Sequence, residues 1–400
     1  MSLFASVEMA PGDPILGLTE TYLADSRPNK INLGVGIYVD EQGRIPLLQS
    51  VHEVEQAMAA KARPRGYLPI DGLPAYTELT RKLLFGADSA LLQAGRVATA
   101  QTIGGSAALR VGADLLRQVA GSGAKIAISN PSWGNHHVVF RTAGFELLDY
   151  RYYDAVSHGL DFAGMLEDLG RLEPGTVVLL HACCHNPTGV DLDVAQWQQV
   201  IALLQERNLL PFIDIAYQGF DQGTEADAGA IRLLAESGIE AFVVASSYSK
   251  SFSLYGERVG ALSMVGADRD EAARLLSKVK QTIRANYSSP AAHGASLVAG
   301  VLGSAELRAR WEQELGGMRS RIHAMRAGLV EKLAAAGAPD FSFIQRQAGM
   351  FSYSGLSKAQ VLRLREEHAI YALDSGRICV AALNQANLDA VASAIAAVCR

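Results

Sequence analysis

The sequence has few charged residues, no strong excess of one charge and no long apolar run. Its 36 basic and 41 acidic residues give a formal net charge of −5, and charged residues make up only 19% of the 400 positions. Nucleic-acid binding needs clustered basic residues, and no run of five or more like charges occurs, so we expect no nucleic-acid partner. The longest apolar runs are shorter than the roughly 18–20 residues of a membrane-spanning helix, so we also expect no membrane partner.

Cysteines are scarce as well. Cys183 and Cys184 are adjacent, whereas Cys379 and Cys399 lie far along the chain. This spacing does not form a disulfide framework and favours a reducing compartment. The opening residues lack a basic region followed by a long apolar core, which is the pattern of a secretory signal. We therefore expect a cytoplasmic protein.

The apolar residues that are present predict an α/β fold. They make up 49% of the chain, enough for two or three domains with substantial cores. Between about residues 96 and 265, short apolar runs alternate with helical segments, which is typical of a mostly parallel sheet covered on both faces. The predicted strands are Lys125–Ser129, Val177–His181, Leu210–Ile215, Phe242–Ser246 and Gly260–Val265. The predicted helices between them include Gly105–Val119, Val194–Arg207 and Ala226–Glu236.

The C-terminal third has a different pattern, which predicts a second, smaller α+β domain. Glu306–Leu333 is rich in Arg, Glu, Met and Leu and predicts one long helix. Short strands are predicted around Phe341–Ile344, Met350–Ser354 and Arg377–Val380. The N-terminal segment Ile31–Val39 is expected to join this domain.

The most informative stretch surrounds Lys250. This lysine lies just beyond a buried apolar strand, at the edge where open α/β sheets bind ligands. A desolvated amine at such a place loses its proton more easily and can form a Schiff base. The hydroxyls of Ser247 and Ser249, together with Arg258, suit a phosphate group. The alternative is a lysine that merely extends into solvent from the end of a strand.

Two further segments predict groups at the same edge of the sheet. Gly104-Gly105-Ser106 forms a Gly-rich turn that leads into a helix, whose free N–H groups favour an anion. A plain turn is the alternative, and neither the dinucleotide fingerprint nor the P-loop pattern is present.

Asp214 closes an apolar run, and Tyr217 follows three residues later. A carboxylate there can hold a proton on a ring nitrogen of a heteroaromatic cofactor, or it can cap the following helix.

The segment from His181 to Gly189 contains two histidines and two cysteines within five positions. Adjacent cysteines do not easily ligate one tetrahedral ion, and the usual spacing of zinc ligands is missing. We therefore predict no metal site. A turn built from Asn186-Pro-Thr-Gly fits better, with Asn186 free to hydrogen-bond a ligand.

Taken together, these segments resemble the class I aminotransferases of the aspartate/aromatic subgroup. The resemblance extends from Asp13 to the C-terminus and rests on Tyr67, Gly104-Gly105-Ser106, Trp133, His185-Asn186-Pro-Thr-Gly, Asp214-x-x-Tyr217, Ser247-x-Ser-Lys250 and Arg258. It implies the pyridoxal-phosphate-dependent transferase fold type I, with a mostly parallel seven-stranded sheet, and pyridoxal 5'-phosphate as cofactor. It also implies a homodimer with active sites shared between subunits. We assign residues 1–12 to an N-terminal arm, residues 13–44 and 316–400 to the small domain, and residues 45–315 to the large cofactor-binding domain.

The resemblance also implies roles around the cofactor ring. Lys250 would bond the cofactor covalently and then move a proton between substrate and cofactor. Asp214 would pair with the pyridinium nitrogen, and His136 would support Asp214. The remaining ring contacts would come from Tyr217, Asn186 and Trp133.

A second set of residues would hold the phosphate and the substrate. The phosphate ligands would be Gly105, Ser106, Ser247 and Arg258, with Tyr67 reaching across from the other subunit. Arg377 would clamp the substrate α-carboxylate, near Gly36, Asn186 and Trp133. Arg284 would come from the other subunit to bind a dicarboxylic side chain. A guanidinium fork suits a carboxylate better than a lysine does.

Several segments, among them Leu84-Phe-Gly-Ala-Asp88 and Tyr287-Ser-Ser-Pro290, look more like the bacterial aromatic-amino-acid branch. We therefore predict an aromatic aminotransferase that uses 2-oxoglutarate and also accepts aspartate, with a narrow aspartate aminotransferase as the alternative. The rival functions are a different pyridoxal-phosphate enzyme on this scaffold, a catalytically silent binding protein and a dinucleotide oxidoreductase. The glycine fingerprint of the last class is missing from the sequence.

Two positions depart from the family pattern. One is Ala107, where glycine is common, and the other is Asp374, three residues before Arg377. We expect the Asp374 side chain to face solvent.

Overall fold

The computed structural model describes residues 2–9, 12, 16–61 and 64–400. The start of the resemblance, Asp13-Pro14-Ile15, lies outside the described residues. The helices are α1 (Leu16–Ala24), α2 (Gln49–Ala60), α3 (Pro74–Phe85), α4 (Ala90–Gln93), α5 (Gly105–Ala120), α6 (Gly134–Thr142), α7 (Phe162–Gly170), α8 (Val194–Glu206), α9 (Thr224–Asp227), α10 (Gly229–Glu236), α11 (Arg269–Asn286), α12 (His293–Leu302), α13 (Ala305–Ala335), α14 (Lys358–His368) and α15 (Gln385–Val398). The strands are β1 (Ile31–Asn32), β2 (Val97–Ile103), β3 (Lys125–Asn130), β4 (Glu146–Arg151), β5 (Tyr153–Asp154), β6 (Gly159–Leu160), β7 (Val177–His181), β8 (Leu210–Ile215), β9 (Phe242–Ser247), β10 (Val259–Val265), β11 (Phe351–Tyr353), β12 (Ile370–Tyr371) and β13 (Arg377–Cys379). Short 3₁₀ helices cover Gly121–Gly123, Ser342–Arg346 and Val380–Ala382.

A seven-stranded sheet forms the centre of the larger part of the chain. Its strand order is β2-β10-β9-β8-β7-β3-β4, and β10 runs antiparallel to both of its neighbours. The other pairs, β9-β8, β8-β7, β7-β3 and β3-β4, are parallel. The prediction of a mostly parallel α/β sheet is therefore confirmed, and the five predicted strands end within one residue of the observed strands.

Both faces of this sheet are covered by helices. Phe212 and Ile213 are neighbours on β8, and both are fully buried, but they belong to two separate hydrophobic clusters on opposite faces. Side chains alternate between the faces of a strand, so a strand with two covered faces needs the continuous apolar run that the sequence shows. One face packs against α5, α6 and α11, and the other packs against α8, α10 and α13.

The C-terminal third builds a second, smaller assembly. Strand β1 pairs in parallel with β12, β11 pairs antiparallel with β13, and α15 packs against α13. The predicted strand at Phe341–Ile344 is wrong, because this segment belongs to the 3₁₀ helix Ser342–Arg346. The Ser342 N–H donates to the Asp340 carboxylate at 2.8 Å, and this local hydrogen bond favours a turn over an extended strand.

The predicted helix Ala226–Glu236 is divided between α9 and α10, which meet at Ala228. The predicted long helix is confirmed as α13, which extends over 31 residues. Near its start, the Trp311 indole N–H donates to the Ser251 carbonyl oxygen at 2.7 Å, directly beside Lys250. The assigned domain boundary at residue 316 falls inside this helix. The helix α13 packs against α2 and α12 and also against α15, so it connects the two assemblies. Within the described ranges, no helix has both the length and the apolar character needed to cross a bilayer.

Candidate active site at the carboxyl ends of the strands

A cavity of about 260 Å³ opens where β7, β8 and β9 end. It brings together most of the residues that the sequence predicts for the site, namely Gly36, Gly105, Ser106, Trp133, Asn186, Asp214, Tyr217, Ser247, Lys250, Arg258 and Arg377. Ser249 also lines it, as do residues that the sequence analysis did not single out for the site: Leu109, His181, Ala216, Tyr255 and Phe351. The sheet edge is the place where parallel α/β sheets bind ligands.

Lys250 is the buried amine of this cavity. It lies in the turn that follows β9, and its Nζ is 5.1 Å from the centre of the Tyr217 ring. Burial lowers the pKa of Lys250 to about 8, the negative charge of Asp214 opposes this shift, and the positive charges of Arg258 and Arg377 add to it. An amine with such a pKa is partly unprotonated near neutral pH, so it can act as a nucleophile or a base.

Asp214 is held as a carboxylate by a chain of hydrogen bonds. His136 Nε2 lies 3.0 Å from Asp214 Oδ2, and His136 Nδ1 lies 2.9 Å from the Ser132 hydroxyl. A carboxylate can only accept, so Nε2 donates the hydrogen bond to Asp214, while Nδ1 is paired with the Ser132 hydroxyl. Burial by itself would raise the pKa of Asp214, but the hydrogen bond from His136 and the nearby cations lower it below its ordinary value. The side chain therefore presents a fixed negative charge to the cavity.

Hydrogen-bond donors for an anion converge on one side of the cavity. The helix α5 begins at Gly105, and the preceding Gly104 has a φ of +86°. A Cβ atom at Gly104 would overlap the Arg258 guanidinium, and one at Gly105 would lie 3.0 Å from the Ser247 Cβ. The Arg258 Nη1 donates to the Ser249 hydroxyl at 3.3 Å, and the Ser247 hydroxyl donates to the same oxygen at 3.2 Å. The two glycines leave room beside a helix N-terminus, two hydroxyls and a guanidinium, which together suit a phosphate.

Arg377 lies on the opposite side, at the start of β13. Its Nη2 donates to the Gly34 carbonyl at 2.6 Å, and its Nη1 donates to Asn186 Oδ1 at 3.1 Å. Its guanidinium carbon lies 4.1 Å from the centre of the Phe351 ring. Burial lowers the pKa of Arg377, but an arginine still keeps its charge. Its Nε finds no hydrogen-bond partner within the described part of the chain, so a donor is available for a carboxylate ligand.

Both departures from the family pattern leave the cavity free. Asp374 forms ion pairs with Lys358 at 3.2 Å and with Arg365 at 3.0 Å, on the surface of the protein. Its carboxylate therefore does not compete for Arg377. Ala107 lies in the first turn of α5 and is not among the residues that line the cavity.

His181 is a pocket residue that the sequence analysis missed. Its ring lies 5.1 Å from that of His136 and 4.3 Å from that of His185, and neither of its nitrogens has a hydrogen-bond partner within the described ranges. Burial lowers the pKa of His181 to about 3, so the ring is neutral. The signal in the sequence was its position at the end of a predicted strand. In the structure, His181 is in register with Asp214 on the neighbouring strand.

The histidines and cysteines of the segment from His181 to Gly189 fall into different clusters. His181 lies with His136 and Asp214, whereas Cys183 and Cys184 lie with Asp227. The hydrogen bond with Cys184 lowers the pKa of Cys183, but burial and the neighbouring carboxylates raise it to about 12. This thiol therefore stays protonated.

Tyr67 and Arg284 lie outside the cavity. The Tyr67 residue is 97% exposed, and Arg284 is exposed at the end of α11, where it hydrogen-bonds the Ser288 hydroxyl. Neither residue lines the cavity of its own chain. Their assigned roles therefore depend on a second subunit and stay predictions.

The donor set fits pyridoxal 5'-phosphate, the cofactor that the resemblance implies. The cofactor needs an amine for its aldehyde, a carboxylate for its ring nitrogen and an anion site for its phosphate. Lys250, Asp214 and the cradle beside Gly105 supply these groups around one cavity. The buried, unpartnered ring of His181 also leaves a polar group available to a ligand.

Comparisons with known proteins agree with this geometry. The model of the family "Aminotransferase class I and II" matches residues 28–395. The aspartate aminotransferase of Pseudomonas aeruginosa is 60% identical over 396 residues, which cover 99% of each chain. The aromatic-amino-acid aminotransferase of Escherichia coli is 49% identical over 99% of this chain and 100% of its own. The crystal structure of the aromatic-amino-acid aminotransferase from Burkholderia pseudomallei, covalently bound to pyridoxal phosphate, is 61% identical with a TM-score of 0.97 over the full length of both chains.

Proposed function

Because the chain belongs to the class I and II aminotransferase family and is a pyridoxal-phosphate-dependent transaminase of fold type I, we propose that it is an aromatic-amino-acid aminotransferase. It transfers the amino group of tyrosine or phenylalanine, and also of aspartate, reversibly to 2-oxoglutarate. The two substrates react in turn at one site, in a ping-pong sequence. When bound, pyridoxal phosphate supplies an electron-poor ring that accepts the electrons of the substrate Cα–H bond.

The residues around the cavity divide the work of holding this cofactor. Lys250 bonds it covalently, Asp214 pairs with its ring nitrogen, and His136 keeps Asp214 charged and oriented. The phosphate ligands are Gly105, Ser106, Ser247 and Arg258. The ring contacts are Trp133, Tyr217 and Asn186.

Arg377 and Lys250 then act on the substrate: one holds its carboxylate and the other moves its proton. The substrate α-carboxylate binds Arg377, whose guanidinium is fixed by Gly34 and Asn186. The buried Lys250 amine would act as the base that takes the substrate Cα proton and, once protonated, as the acid that returns it. A pKa near 8 suits both directions of this transfer, because the amine neither holds nor releases the proton too strongly.

Support for aromatic substrates comes from the sequence segments that resemble the aromatic branch, such as Tyr287-Ser-Ser-Pro290, which closely follows Arg284. A dicarboxylic substrate needs a second cation for its distal carboxylate, whereas an aromatic side chain needs a site without a fixed charge. Arg284 is exposed and is held in this chain by a hydrogen bond to Ser288 only one helical turn away. Such a side chain can contact the distal carboxylate of aspartate or turn away when a ring enters.

The second candidate function is an aspartate aminotransferase with narrow dicarboxylic specificity. It is favoured by the Pseudomonas aeruginosa relative, which carries that name and is 60% identical to this chain. The relatives of aromatic specificity are about as similar, so the names alone do not separate the two candidates.

The visible absorption spectrum of the purified holoenzyme tests both candidates. We expect the absorption of the bound cofactor to be lost on adding tyrosine, and separately on adding aspartate, and to return with 2-oxoglutarate. If only aspartate changes the spectrum, the narrow function holds instead. A Lys250→Ala variant is the control, because it lacks the amine and should show neither the covalent cofactor nor turnover. An absence of any chromophore in wild type, even with added cofactor, would refute both.

A further inference from the structure

Arg326 is a buried cation that does not line the cavity and, among the described residues, forms no ion pair with a carboxylate. It lies on α13 with only 2% of its surface exposed. The hydrogen bonds of its guanidinium within the described part of the chain all go to backbone carbonyl oxygens. Nη1 donates to Ile344 at 3.3 Å, and Nη2 donates to Ala348 at 3.2 Å, Gly349 at 2.7 Å and Phe351 at 2.6 Å.

These acceptors stabilise the buried charge of Arg326 only in one conformation of the loop that carries them. Taking a guanidinium out of water is costly unless dipoles or counter-charges replace the water. Here the carbonyl groups of residues 344–351, which we call the carbonyl loop, supply those dipoles. The loop cannot change its shape without leaving a buried charge poorly solvated. Arg326 therefore fixes the carbonyl loop against α13.

One part of the carbonyl loop packs against the turn that carries Asn186. The Ala348 N–H donates to the Gly189 carbonyl at 2.6 Å. Gly189 has a φ of +66°, and a Cβ atom there would lie 2.9 Å from the Ala348 carbonyl oxygen. Gly349 packs closely against Cys184, so a Cβ atom at Gly349 would overlap that side chain. The loop and the turn therefore cannot move independently.

The end of the carbonyl loop supports Arg377. The Phe351 ring lies 4.1 Å from the Arg377 guanidinium carbon and is edge-on to the Tyr217 ring at 5.7 Å. Gly36 approaches the same ring so closely that a Cβ atom there would lie 2.7 Å from Phe351 Cζ. Arg377 is thus held between Phe351 and Asn186, and both depend on the carbonyl loop.

We propose that Arg326 is a positioning residue for substrate carboxylates: by fixing the carbonyl loop, it holds Phe351 and the Asn186 turn so that Arg377 faces the substrate. The inference rests on the proposed function, which gives Arg377 the α-carboxylate. Arg326 acts through Arg377 and does not touch the substrate or the cofactor.

A lysine cannot replace Arg326 in this role. Its ammonium keeps the charge, but the lysine Nζ lies one bond closer to the backbone than the Arg326 Nη2, so it does not reach the same three carbonyl groups. It also lacks the second donor atom that binds Ile344. We expect Arg326→Lys to weaken substrate-carboxylate binding about tenfold, the effect of one charge-assisted hydrogen bond lost at Arg377. KM should rise more than kcat falls, and the affinity for pyridoxal phosphate should stay as in wild type.

The matched control is Arg319→Lys. Arg319 also lies on α13 and donates to a backbone carbonyl, that of Gly219, at 2.8 Å. It does not contact the carbonyl loop, so its replacement should leave carboxylate binding unchanged.

The experiment is a calorimetric titration of the holoenzyme with succinate, a dicarboxylate that cannot be transaminated. Wild type, Arg326→Lys, Arg377→Lys and the double variant are compared. We expect both single variants to bind succinate more weakly and the double variant to bind it no more weakly than Arg377→Lys alone, because the two residues act in series. Wild-type affinity in Arg326→Lys, or strictly additive losses, would overturn the inference. An unchanged affinity in Arg377→Lys would instead refute the proposed role of Arg377.

A second variant covers the case in which Arg326→Lys does not fold. Phe351→Leu leaves Arg326 and its hydrogen bonds in place but removes the ring under Arg377. We expect it to weaken succinate binding to a similar extent, with the cofactor retained. If Arg326→Lys is unfolded and Phe351→Leu binds succinate as wild type does, the inference is also overturned.

Discussion

Burial lowers the pKa of Lys250, and its charge should therefore change near neutral pH. Its pKa lies at about 8, below the value of 10.5 for a free lysine. The amine is protonated below pH 8 and free above it, so acylation of Lys250 in the apoenzyme should rise through an inflection near that pH. Mass spectrometry of the labelled peptide, after a short pulse of an amine-reactive ester at each pH, measures this rate.

The Asp214→Asn variant provides the control. The Asp214 carboxylate stabilises the Lys250 ammonium and raises its pKa, so its removal should move the inflection to lower pH. An inflection near 10.5 in wild type would show that burial does not control this amine. An inflection that stays at the wild-type pH or moves upwards in this variant would show that the charge of Asp214 does not raise the pKa of Lys250.

Sequence patterns identify the site residues whose position follows from a single strand. Lys250 and Asp214 were predicted because each ends or follows an apolar run, and such ends meet at one edge of a parallel sheet. Phe351 gave no such signal, because an apolar residue on a short strand usually belongs to the core. Its contact with Arg377 arises only when β11 and β13 pair, which no local pattern predicts.

Substitutions at the two ends of α5 distinguish an effect on the anion cradle from an effect on helix stability. Gly104 precedes the helix with φ +86° and ψ 173°, and Gly121 follows it with φ +73° and ψ −162°. Both conformations are nearly closed to other residues, so Gly104→Ala and Gly121→Ala should each destabilise the apoenzyme by about 1–3 kcal/mol. Thermal unfolding of the two apo variants measures this loss.

Cofactor binding should distinguish these two substitutions. A Cβ atom at Gly104 would overlap Arg258, whereas one at Gly121 would meet no atom of the described residues within 4 Å. We therefore expect Gly104→Ala to bind pyridoxal phosphate more weakly and Gly121→Ala to bind it as wild type does. Equal affinities in a titration of both apoenzymes would remove Gly104 from the cradle.

At the level of elements, prediction succeeded where burial alone fixes the structure. The central strands β3, β7, β8 and β9 are continuous apolar runs, because helices cover both of their faces. The strand β2 was not predicted, since its sequence Val97-Ala-Thr-Ala-Gln-Thr-Ile103 mixes small polar residues with alanines. Its buried Thr99 hydroxyl is hydrogen-bonded to the Ser263 hydroxyl on β10 at 2.8 Å, which is a contact between distant parts of the chain.

In the whole molecule, the candidate site lies between the two assemblies. Lys250 follows β9 of the central sheet, whereas Arg377 begins β13 of the smaller assembly. Gly34 and Asn186, one from each side, both accept hydrogen bonds from Arg377. In the proposed function, a substrate carboxylate bound to Arg377 therefore faces Lys250 only when the two assemblies are correctly packed against each other.

A chain that acts alone would leave Arg284 and Tyr67 without a role, because both are exposed outside the cavity. The proposed homodimer predicts that two inactive variants restore each other. Co-expressed Lys250→Ala and Arg284→Ala chains form hybrid dimers in which one site combines an intact Lys250 with an intact Arg284 from the other subunit. With random pairing, half of the dimers are hybrids and one of their two sites works, so aspartate transamination should recover to about a quarter of wild type.

The pair Lys250→Ala and Arg377→Lys is the control for this recovery. Both residues line the cavity of the same chain, so every site in a hybrid of these variants lacks one of them. No recovery is expected there, although the chains pair in the same way. If the Lys250→Ala and Arg284→Ala mixture is no more active than this control, Arg284 acts within its own chain or not at all. Recovery in the first pair and not in the second requires a site that two subunits share, because no single chain in either mixture is complete.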